Sequence, residues 1–151
     1  MFDVDDLLRT VAEESVTVFP GPPTVYLSIL DHPDRDRHDL SSLRLAVTGA
    51  ADIPVELIRR MHDELPFRLI VTGYGLTEAG TVTATAPDDD FETIATTVGR
   101  VRPGLEIQVA SEDGTALPAG EAGELLVRGY SVMHDYLDDP GATAGAIDGD
   151  G

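Results

Sequence analysis

One ten-residue stretch, Val71–Gly80, groups side chains that could bind a ligand; it reads VTGYGLTEAG. An aromatic ring, a hydroxyl and a carboxylate stand among glycines directly after an apolar run, at Gly73, Tyr74, Gly75, Thr77 and Glu78. Glycines allow a backbone to approach a flat ring or a phosphate closely. The stretch therefore has two interpretations, which are a chain turn and a nucleotide-binding site.

Two strand patterns lead to such glycines. The apolar runs Leu43–Val47 and Phe67–Val71 predict buried strands, and Thr-Gly follows each of them. Between the strands, the start signals and apolar face of a helix stand at Asp52, Pro54, Ile58, Met61 and Leu65. A helical crossover favours parallel, neighbouring strands with a right-handed connection. Gly49 and Gly73 are then expected at the carboxyl edge of one sheet, where open α/β sheets bind ligands.

The amino-terminal part alternates between helix and strand patterns. Its first segment has an apolar stripe at helical spacing, at Val4, Leu7, Leu8, Val11 and Ala12. The run Val16–Phe19 predicts a short strand, and Pro22 or Pro23 then opens a second helix. Asp31–Asp39 is expected to be a solvated loop.

Beyond Gly80 the pattern changes to strands. Strand sequences stand at residues 81–86, 105–110 and 123–129, which read TVTATA, LEIQVA and GELLVRG. The Glu-Asp-Gly-Thr turn before the last of them predicts an antiparallel pair. The segment PDDDFE, residues 87–92, is expected to be an acidic loop, and at most a short helix follows Pro140.

The sequence as a whole therefore predicts an α/β fold in two successive parts. Residues 1–86 form the α/β part with its parallel strand-helix-strand unit. Residues 87–151 form a β-rich, mostly antiparallel part, which is expected to be truncated at its carboxyl end.

Composition limits the possible partners. The 151 residues have a formal net charge of −18, which repels nucleic-acid phosphates and anionic lipid heads. Neither nucleic acid nor a membrane is an expected partner, and no apolar run has transmembrane length. Cysteine is absent, which favours a cytoplasmic protein without disulfides. The histidines lack metal-ligand spacing and no serine stands in Gly-x-Ser-x-Gly, which argues against zinc enzymes and hydrolases.

Four motifs resemble those of the adenylate-forming enzymes, which include acyl-CoA synthetases, nonribosomal adenylation domains and firefly-type luciferases. GYGLTE matches the aromatic-Gly-x-Thr-Glu motif, and TGAA matches the adenine-side loop. GELLVRG followed by VMHDYLDDPGATA matches the Gly-Glu-Leu motif, and VTVFPGPPTVYLSIL resembles the segment that borders the acyl pocket. Each motif is weak alone, but their shared order makes the resemblance specific, and it looks closest to bacterial fatty-acyl or steroid side-chain CoA ligases.

The resemblance implies roles residue by residue. The nucleotide would contact Gly49, Ala50, Ala51, Gly73, Tyr74, Gly75 and Thr77. Tyr74 would pack on the adenine ring, and Gly49–Ala51 would form the opposite wall or border the acyl chain. Thr77 would meet a phosphate oxygen and Glu78 would hold Mg²⁺, which proteins commonly bind through one or two carboxylates plus substrate phosphates. Thr77 and Glu78 are thus the implied catalytic residues.

The implied reaction is attack of a small carboxylic acid on the α-phosphorus of ATP, followed by transfer of the acyl group to coenzyme A. The family's Gly-rich Ser/Thr loop, ribose aspartate and catalytic lysine do not occur in the sequence. The chain is therefore expected to be an inactive fragment that needs the remainder of the same enzyme. Two alternatives stay open, a noncatalytic acidic α/β interaction module and an adenylation domain that serves a carrier protein.

Structural interpretations compete with several of these roles. Taken alone, Tyr74 is typical of a half-buried core residue and Glu78 of a surface acid. Thr48 and Thr72 are expected to make ordinary strand-end hydrogen bonds. Gly99 is expected to be a loop glycine.

Overall fold

The computed structural model describes residues 2–149, so the last two residues of the predicted 87–151 part lie outside the described residues. The helices are α1 (Val4–Glu13), α2 (Pro23–Leu30), α3 (Val55–Glu64), α4 (Phe91–Thr96) and α5 (Pro140–Ala146). The strands are β1 (Val18–Pro20), β2 (Leu45–Gly49), β3 (Leu69–Leu76), β4 (Gly80–Ala84), β5 (Arg100–Val101), β6 (Leu105–Ala110) and β7 (Glu124–Gly129). Within residues 2–149, no helix is long and apolar enough to cross a membrane.

The strands form a five-stranded sheet in the order β1-β2-β3-β4-β5 and a two-stranded sheet of β6 and β7. Strand β2 pairs in parallel with both β1 and β3. Strands β6 and β7 pair antiparallel, with Leu105 opposite Gly129 and Ala110 opposite Glu124. These pairings confirm the predicted α/β fold class, with its parallel portion followed by an antiparallel portion.

The predicted strands Leu43–Val47 and Phe67–Val71 each begin two residues before the observed β2 and β3, and the second prediction also ends five residues before β3 does. Leu43 and Phe67, which began the predicted runs, are buried but precede the paired residues. Backbone pairing starts one or two residues later, where the Arg44 N–H donates to the Thr17 carbonyl and the Arg68 N–H donates to the Arg44 carbonyl. An apolar run reports burial, whereas a strand begins only where a partner strand is available.

Two short helices lie where the sequence predicted loops. Helix α4 begins inside the predicted acidic loop, because the Asp90 carboxylate accepts the Thr93 N–H at 2.8 Å and caps it. A 3₁₀ turn, Arg35–Arg37, occupies the predicted solvated loop. The Arg35 side chain is only 18% exposed and donates to a Glu64 carboxylate oxygen at 3.1 Å. Acidic composition indicated exposure for most residues of the two segments but not for Arg35, and it did not indicate the helix start.

The core packs α1, α2 and α3 around the parallel strands. Its most completely buried large side chains are Tyr26, Leu8, Leu57, Ile58 and Met61. The Tyr26 hydroxyl lies 2.5 Å from the Phe19 carbonyl oxygen and 3.2 Å from that of Val47. This hydroxyl therefore bridges the neighbouring strands β1 and β2.

The chain divides into two compact units that interleave in sequence. The first comprises residues up to Tyr74 together with Thr83–Arg100, and the second comprises Gly75–Val82 together with residues from Val101 onward. The predicted division into residues 1–86 and 87–151 concerns helix and strand content along the chain and not spatial compactness, and it stays a prediction.

Candidate functional site

In the first unit, the carboxyl end of β2 lies beside Thr72 and Gly73 of β3, so the two Thr-Gly pairs are aligned in parallel as predicted. Gly49 stands opposite Gly73 in the parallel register. Tyr74 follows in β3 and is 38% exposed. A Cβ atom on Gly49 would lie 2.7 Å from the Gly73 carbonyl oxygen, closer than real Cβ atoms come. The neighbouring strand therefore requires glycine at position 49, whether or not a ligand is bound there.

The glycines around Tyr74 lie in a strand and not in a turn. Strand β3 continues to Leu76, and residues 77–79 form the turn before β4. A Cβ on Gly73 would lie 2.7 Å from the Thr83 carbonyl oxygen, and one on Gly75 would overlap the Gly80 carbonyl oxygen. The turn interpretation was thus wrong for Gly73 and Gly75, because both allow the close approach of β4.

The loop after β2 has an uncommon backbone conformation. Ala50 has a φ of +65°, in the left-handed region that non-glycine residues rarely adopt. Such a conformation costs about 1–3 kcal/mol, and residues of this kind cluster at ligand sites. Ala50 and Ala51 are exposed and Gly49 is half-buried. The loop thus presents small side chains to solvent at the predicted nucleotide position.

Two threonines that face each other in β2 and β3 differ in hydrogen bonding. Thr72 Oγ1 donates to the Ile94 carbonyl at 3.1 Å, which is the ordinary bond that the sequence predicted. Thr48, its register partner, is 3% exposed, and within residues 2–149 its Oγ1 has no hydrogen-bond partner. The expectation of an ordinary bond was therefore wrong for Thr48.

This difference predicts opposite effects of the same substitution on stability. Thr48→Val should raise the free energy of unfolding by about 1 kcal/mol, because it removes a buried, unpaired hydroxyl. Thr72→Val should lower it by about 1–2 kcal/mol, because it leaves the Ile94 carbonyl without its donor. Urea unfolding of the 151-residue chain would measure both. Equal losses in the two variants would show that Thr48 has a partner after all.

In the second unit, the turn at residues 77–79 is held by the segment that follows β7. The Met133 backbone N–H donates to the Glu78 carbonyl at 2.7 Å. The Ser131 hydroxyl donates to the Ala79 carbonyl at 2.6 Å. Two backbone carbonyls of the turn are thus fixed by residues more than fifty positions away, which keeps the Glu78 backbone in one conformation.

The Glu78 carboxylate has a specific donor of its own. The Tyr136 hydroxyl donates to Glu78 Oε1 at 2.6 Å. This bond lowers the pKa of Glu78, with a smaller contribution from the Glu78 backbone N–H, and it raises the pKa of Tyr136. Thr77, the preceding residue, is exposed. The turn therefore presents an exposed hydroxyl next to a carboxylate that stays ionised at neutral pH.

The donor set suits a magnesium ion that is shared with a polyphosphate. Within residues 2–149, no group of three His, Cys, Asp or Glu side chains could hold a metal. Mg²⁺ does not need such a group, because it usually keeps water and binds one or two carboxylates plus substrate phosphates. A carboxylate has about four acceptor positions, and Tyr136 uses one of those on Glu78. Glu78 therefore fits the role of a single protein ligand.

A cavity of about 420 Å³ adjoins this turn within the second unit. Glu78, Ala79, strand β7 and helix α5 line it. Glu124, the first residue of β7, lines the same cavity, and the strand begins one residue after the predicted start at Gly123. Glu78 and Glu124 are therefore two carboxylates that line one cavity, and they make a matched pair for mutagenesis.

Comparison with known proteins identifies the family. The sequence profile described as "AMP-binding enzyme" matches residues 1–137. The chain belongs to the AMP-binding enzyme family. This assignment confirms the resemblance to adenylate-forming enzymes that the four motifs indicated.

Among curated relatives, the chain is similar to two proteins named 3-[(3aS,4S,7aS)-7a-methyl-1,5-dioxo-octahydro-1H-inden-4-yl]propanoyl:CoA ligase. The one from Rhodococcus jostii (strain RHA1) is 52% identical and is matched over 100% of this chain and 27% of its own length. The one from Mycobacterium tuberculosis is 50% identical, over 99% of this chain and 28% of its own length. The chain thus spans little more than a quarter of these relatives.

Solved structures of this AMP-binding family share the fold. The anthranilate CoA ligase AuaEII in complex with anthranoyl-AMP has a TM-score of 0.87 at 27% identity, over 94% of this chain and 27% of that one. The amide bond synthetase McbA from Marinactinospora thermotolerans has a TM-score of 0.85 at 32% identity, over 98% of this chain and 30% of that one. The predicted roles of the individual site residues stay predictions.

Sequence reasoning missed Tyr136 as a site residue. It lies inside the VMHDYLDDPGATA segment that supported the resemblance, but 58 residues separate it from Glu78. Nothing in the local pattern indicates that its hydroxyl reaches the GYGLTE turn. Only the packing of the segment after β7 against that turn brings the two side chains together.

Proposed function

We propose that this chain is the part of an acid–thiol ligase that binds nucleotide, in an enzyme that converts a carboxylic acid and ATP to an acyl-adenylate and passes the acyl group to coenzyme A. The main support is the identity of 50–52% over essentially the whole chain with two proteins named as CoA ligases. The family assignment and the turn that presents Glu78 agree with this function.

The acid that we propose has its carboxylate on a short chain attached to a bulky apolar body. Both relatives are named for a propanoyl group on a methylated, fused-ring octahydroindene dione. This choice is narrower than the fatty or steroid side-chain acid that the motifs suggested. Coenzyme A is the proposed acceptor because the same names specify it.

We assign the nucleotide contacts as the motifs imply. Tyr74 packs on the adenine ring through its exposed face, and the Gly49–Ala51 loop lies on the other side of the ring or borders the acyl chain. Gly73 and Gly75 place no side chain on either side of Tyr74.

We assign the phosphate end to the turn after β3. Thr77 donates its hydroxyl to a phosphate oxygen, and Glu78 holds Mg²⁺. The ion, when bound, supplies charge compensation for the ATP phosphates. The residues of this chain bind and orient the nucleotide, and fixed dipoles and charges of this kind favour a transition state in which charge develops.

A chimaeric enzyme tests this proposal. In it, the 151 residues replace the matching segment of the Rhodococcus jostii ligase, and the acid in that ligase's name serves as substrate. We expect acid-dependent release of AMP and formation of the acyl-CoA. We expect neither from the 151-residue chain alone, because it contains no lysine and no Gly-rich Ser/Thr loop.

The parental ligase and a boiled chimaera are the controls. A chimaera that melts cooperatively like the parent but releases no AMP would contradict the proposed ligase function and favour a noncatalytic interaction module. Acid-dependent AMP release by the 151-residue chain alone would contradict the proposed inactivity.

A further inference from the structure

We propose that Tyr136 is a positioning residue for Glu78, because its hydroxyl holds one carboxylate oxygen and thereby fixes the rotamer in which Glu78 binds the metal. The proposal rests on the metal role proposed above for Glu78. It assigns a function to a residue that the nucleotide motif itself does not contain.

The backbone of the turn leaves only the Glu78 side chain free to move. The Met133 N–H fixes the Glu78 carbonyl at 2.7 Å, and the Ser131 hydroxyl fixes the Ala79 carbonyl at 2.6 Å. Neither bond restrains the side-chain torsions of Glu78. The Tyr136 hydroxyl, 2.6 Å from Oε1, supplies the main restraint, and the Glu78 backbone N–H makes a weaker contact with the same carboxylate. Removing this hydroxyl should therefore release the carboxylate while the turn stays folded.

Tyr136 is itself held from both sides by the start of helix α5. Its N–H donates to Thr143 Oγ1 at 2.9 Å, and its carbonyl accepts the Asp139 N–H at 3.1 Å. The Thr143 hydroxyl in turn donates to the Asp139 carbonyl at 2.9 Å. The Asp139 carboxylate also caps α5 by accepting the Ala142 N–H at 2.9 Å. These bonds at the start of α5 thus fix the position of the Tyr136 backbone, from which the ring extends.

The chemistry of the bond suits a supporting role. A neutral phenol donates one hydrogen bond to the carboxylate and leaves its negative charge in place for a cation. A partner that orients a metal-binding side chain in this way typically changes metal affinity or activity by about 10- to 100-fold when it is removed. A bond that only tied two loops together would change stability and leave the metal dependence unchanged.

The test measures nucleotide binding in the chimaeric ligase by isothermal titration calorimetry, with Mg·ATP and with ATP in excess EDTA. Tyr136→Phe is expected to weaken Mg·ATP binding about 10- to 100-fold and to leave binding in EDTA unchanged. Tyr130→Phe is the matched control, because Tyr130 lies in the same unit with 74% of its side chain exposed. It should bind Mg·ATP like the parent.

Two further variants separate the possible failures. If Tyr136→Phe does not fold, Thr143→Val replaces it as the test. This variant removes the hydroxyl that accepts the Tyr136 N–H and keeps the phenol, and it should also weaken Mg·ATP binding. In a Glu78→Ala background, Tyr136→Phe should have no additional effect, since the two residues act as a unit.

The outcomes are distinct. If Glu78→Ala abolishes the magnesium dependence but Tyr136→Phe binds like the parent, Tyr136 does not position Glu78 and the proposed function stands. If Glu78→Ala itself keeps the magnesium dependence, the metal role fails and the positioning role fails with it. Additive losses in the double variant would overturn the coupling between the two residues.

Discussion

Glu78→Ala in the chimaeric ligase is expected to reduce acid-dependent adenylation about 100- to 1,000-fold, which corresponds to a loss of roughly 2.7–4 kcal/mol of transition-state stabilisation. The reason is electrostatic. A carboxylate that binds Mg²⁺ maintains charge compensation as the α-phosphate is attacked, and alanine cannot replace it. The effect should appear in kcat as well as in the magnesium requirement.

Glu124→Ala is the matched comparison. Glu124 has the same charge, lies in a family motif and lines the same cavity as Glu78. It is exposed at the start of β7, where a substitution usually changes stability by no more than about 0.5 kcal/mol. We therefore expect a rate close to that of the parent.

Both variants would be assayed by acid-dependent AMP release across a magnesium titration, after their melting curves have been compared with the parent. A well-folded Glu78→Ala enzyme with parental rates and parental magnesium dependence would refute the metal role. The GYGLTE turn would then have only the structural role of connecting β3 to β4.

Gly99→Ala is expected to lower the free energy of unfolding of the 151-residue chain by about 2–5 kcal/mol. Gly99 has a φ of +79°, which costs an L-residue about 1–2 kcal/mol. A Cβ at this position would also overlap the backbone of Ala84 and Thr85 in the same unit, and overpacking of this kind costs about 1–3 kcal/mol. The expected loss is a large part of the roughly 5–15 kcal/mol that stabilises a typical domain.

Gly114→Ala separates the two causes. Gly114 has a similar φ of +82°, but nothing lies within 4 Å of a Cβ built there. It should lose only the conformational part, about 1–2 kcal/mol. Urea unfolding monitored by circular dichroism measures both variants. Gly99 lies in the loop between α4 and β5, as expected, and an equal loss in the two variants would show that its contact with Ala84 and Thr85 is unimportant.

The parallel part of the fold could be predicted because its signals are local. The apolar runs before Gly49 and Gly73 and the helix between them leave few topologies, since a crossover of this kind is nearly always right-handed. The observed parallel register places these two glycines opposite each other. Strand β6, Leu105–Ala110, was predicted with its observed boundaries. Polar turn residues follow it, and no helix or strand was predicted directly before it.

Other features depend on partners that are distant in sequence. Helix α4 was missed for two reasons. Its capping residue, Asp90, stands among other acidic residues, and the burial of Ala95 in the core depends on tertiary packing. Thr48 was expected to be paired, since a sequence does not show which hydroxyl will lack an acceptor. The turn interpretation stayed open for the glycines at 73 and 75, because a sequence does not show that β4 will pack closely against them.

For the candidate site, the sequence indicated which residues matter but not what holds them. Glu78 and Thr77 could be selected because a family motif contains them. The bond from Tyr136 to Glu78 could not, because it depends on how the cap of α5 and the segment after β7 pack against the turn. Residues that support a site act through tertiary contacts, whereas a sequence motif contains only residues that are close together along the chain.

A crystal structure of the chimaeric ligase with ATP and Mg²⁺ tests the metal role of Glu78 directly. We expect a Glu78 carboxylate oxygen about 2.0–2.1 Å from the ion, a contact between the same ion and an ATP phosphate oxygen, and a Tyr136 hydroxyl that still donates to the carboxylate. An ion bound by the phosphates and water alone, with no direct bond to Glu78, would contradict this role.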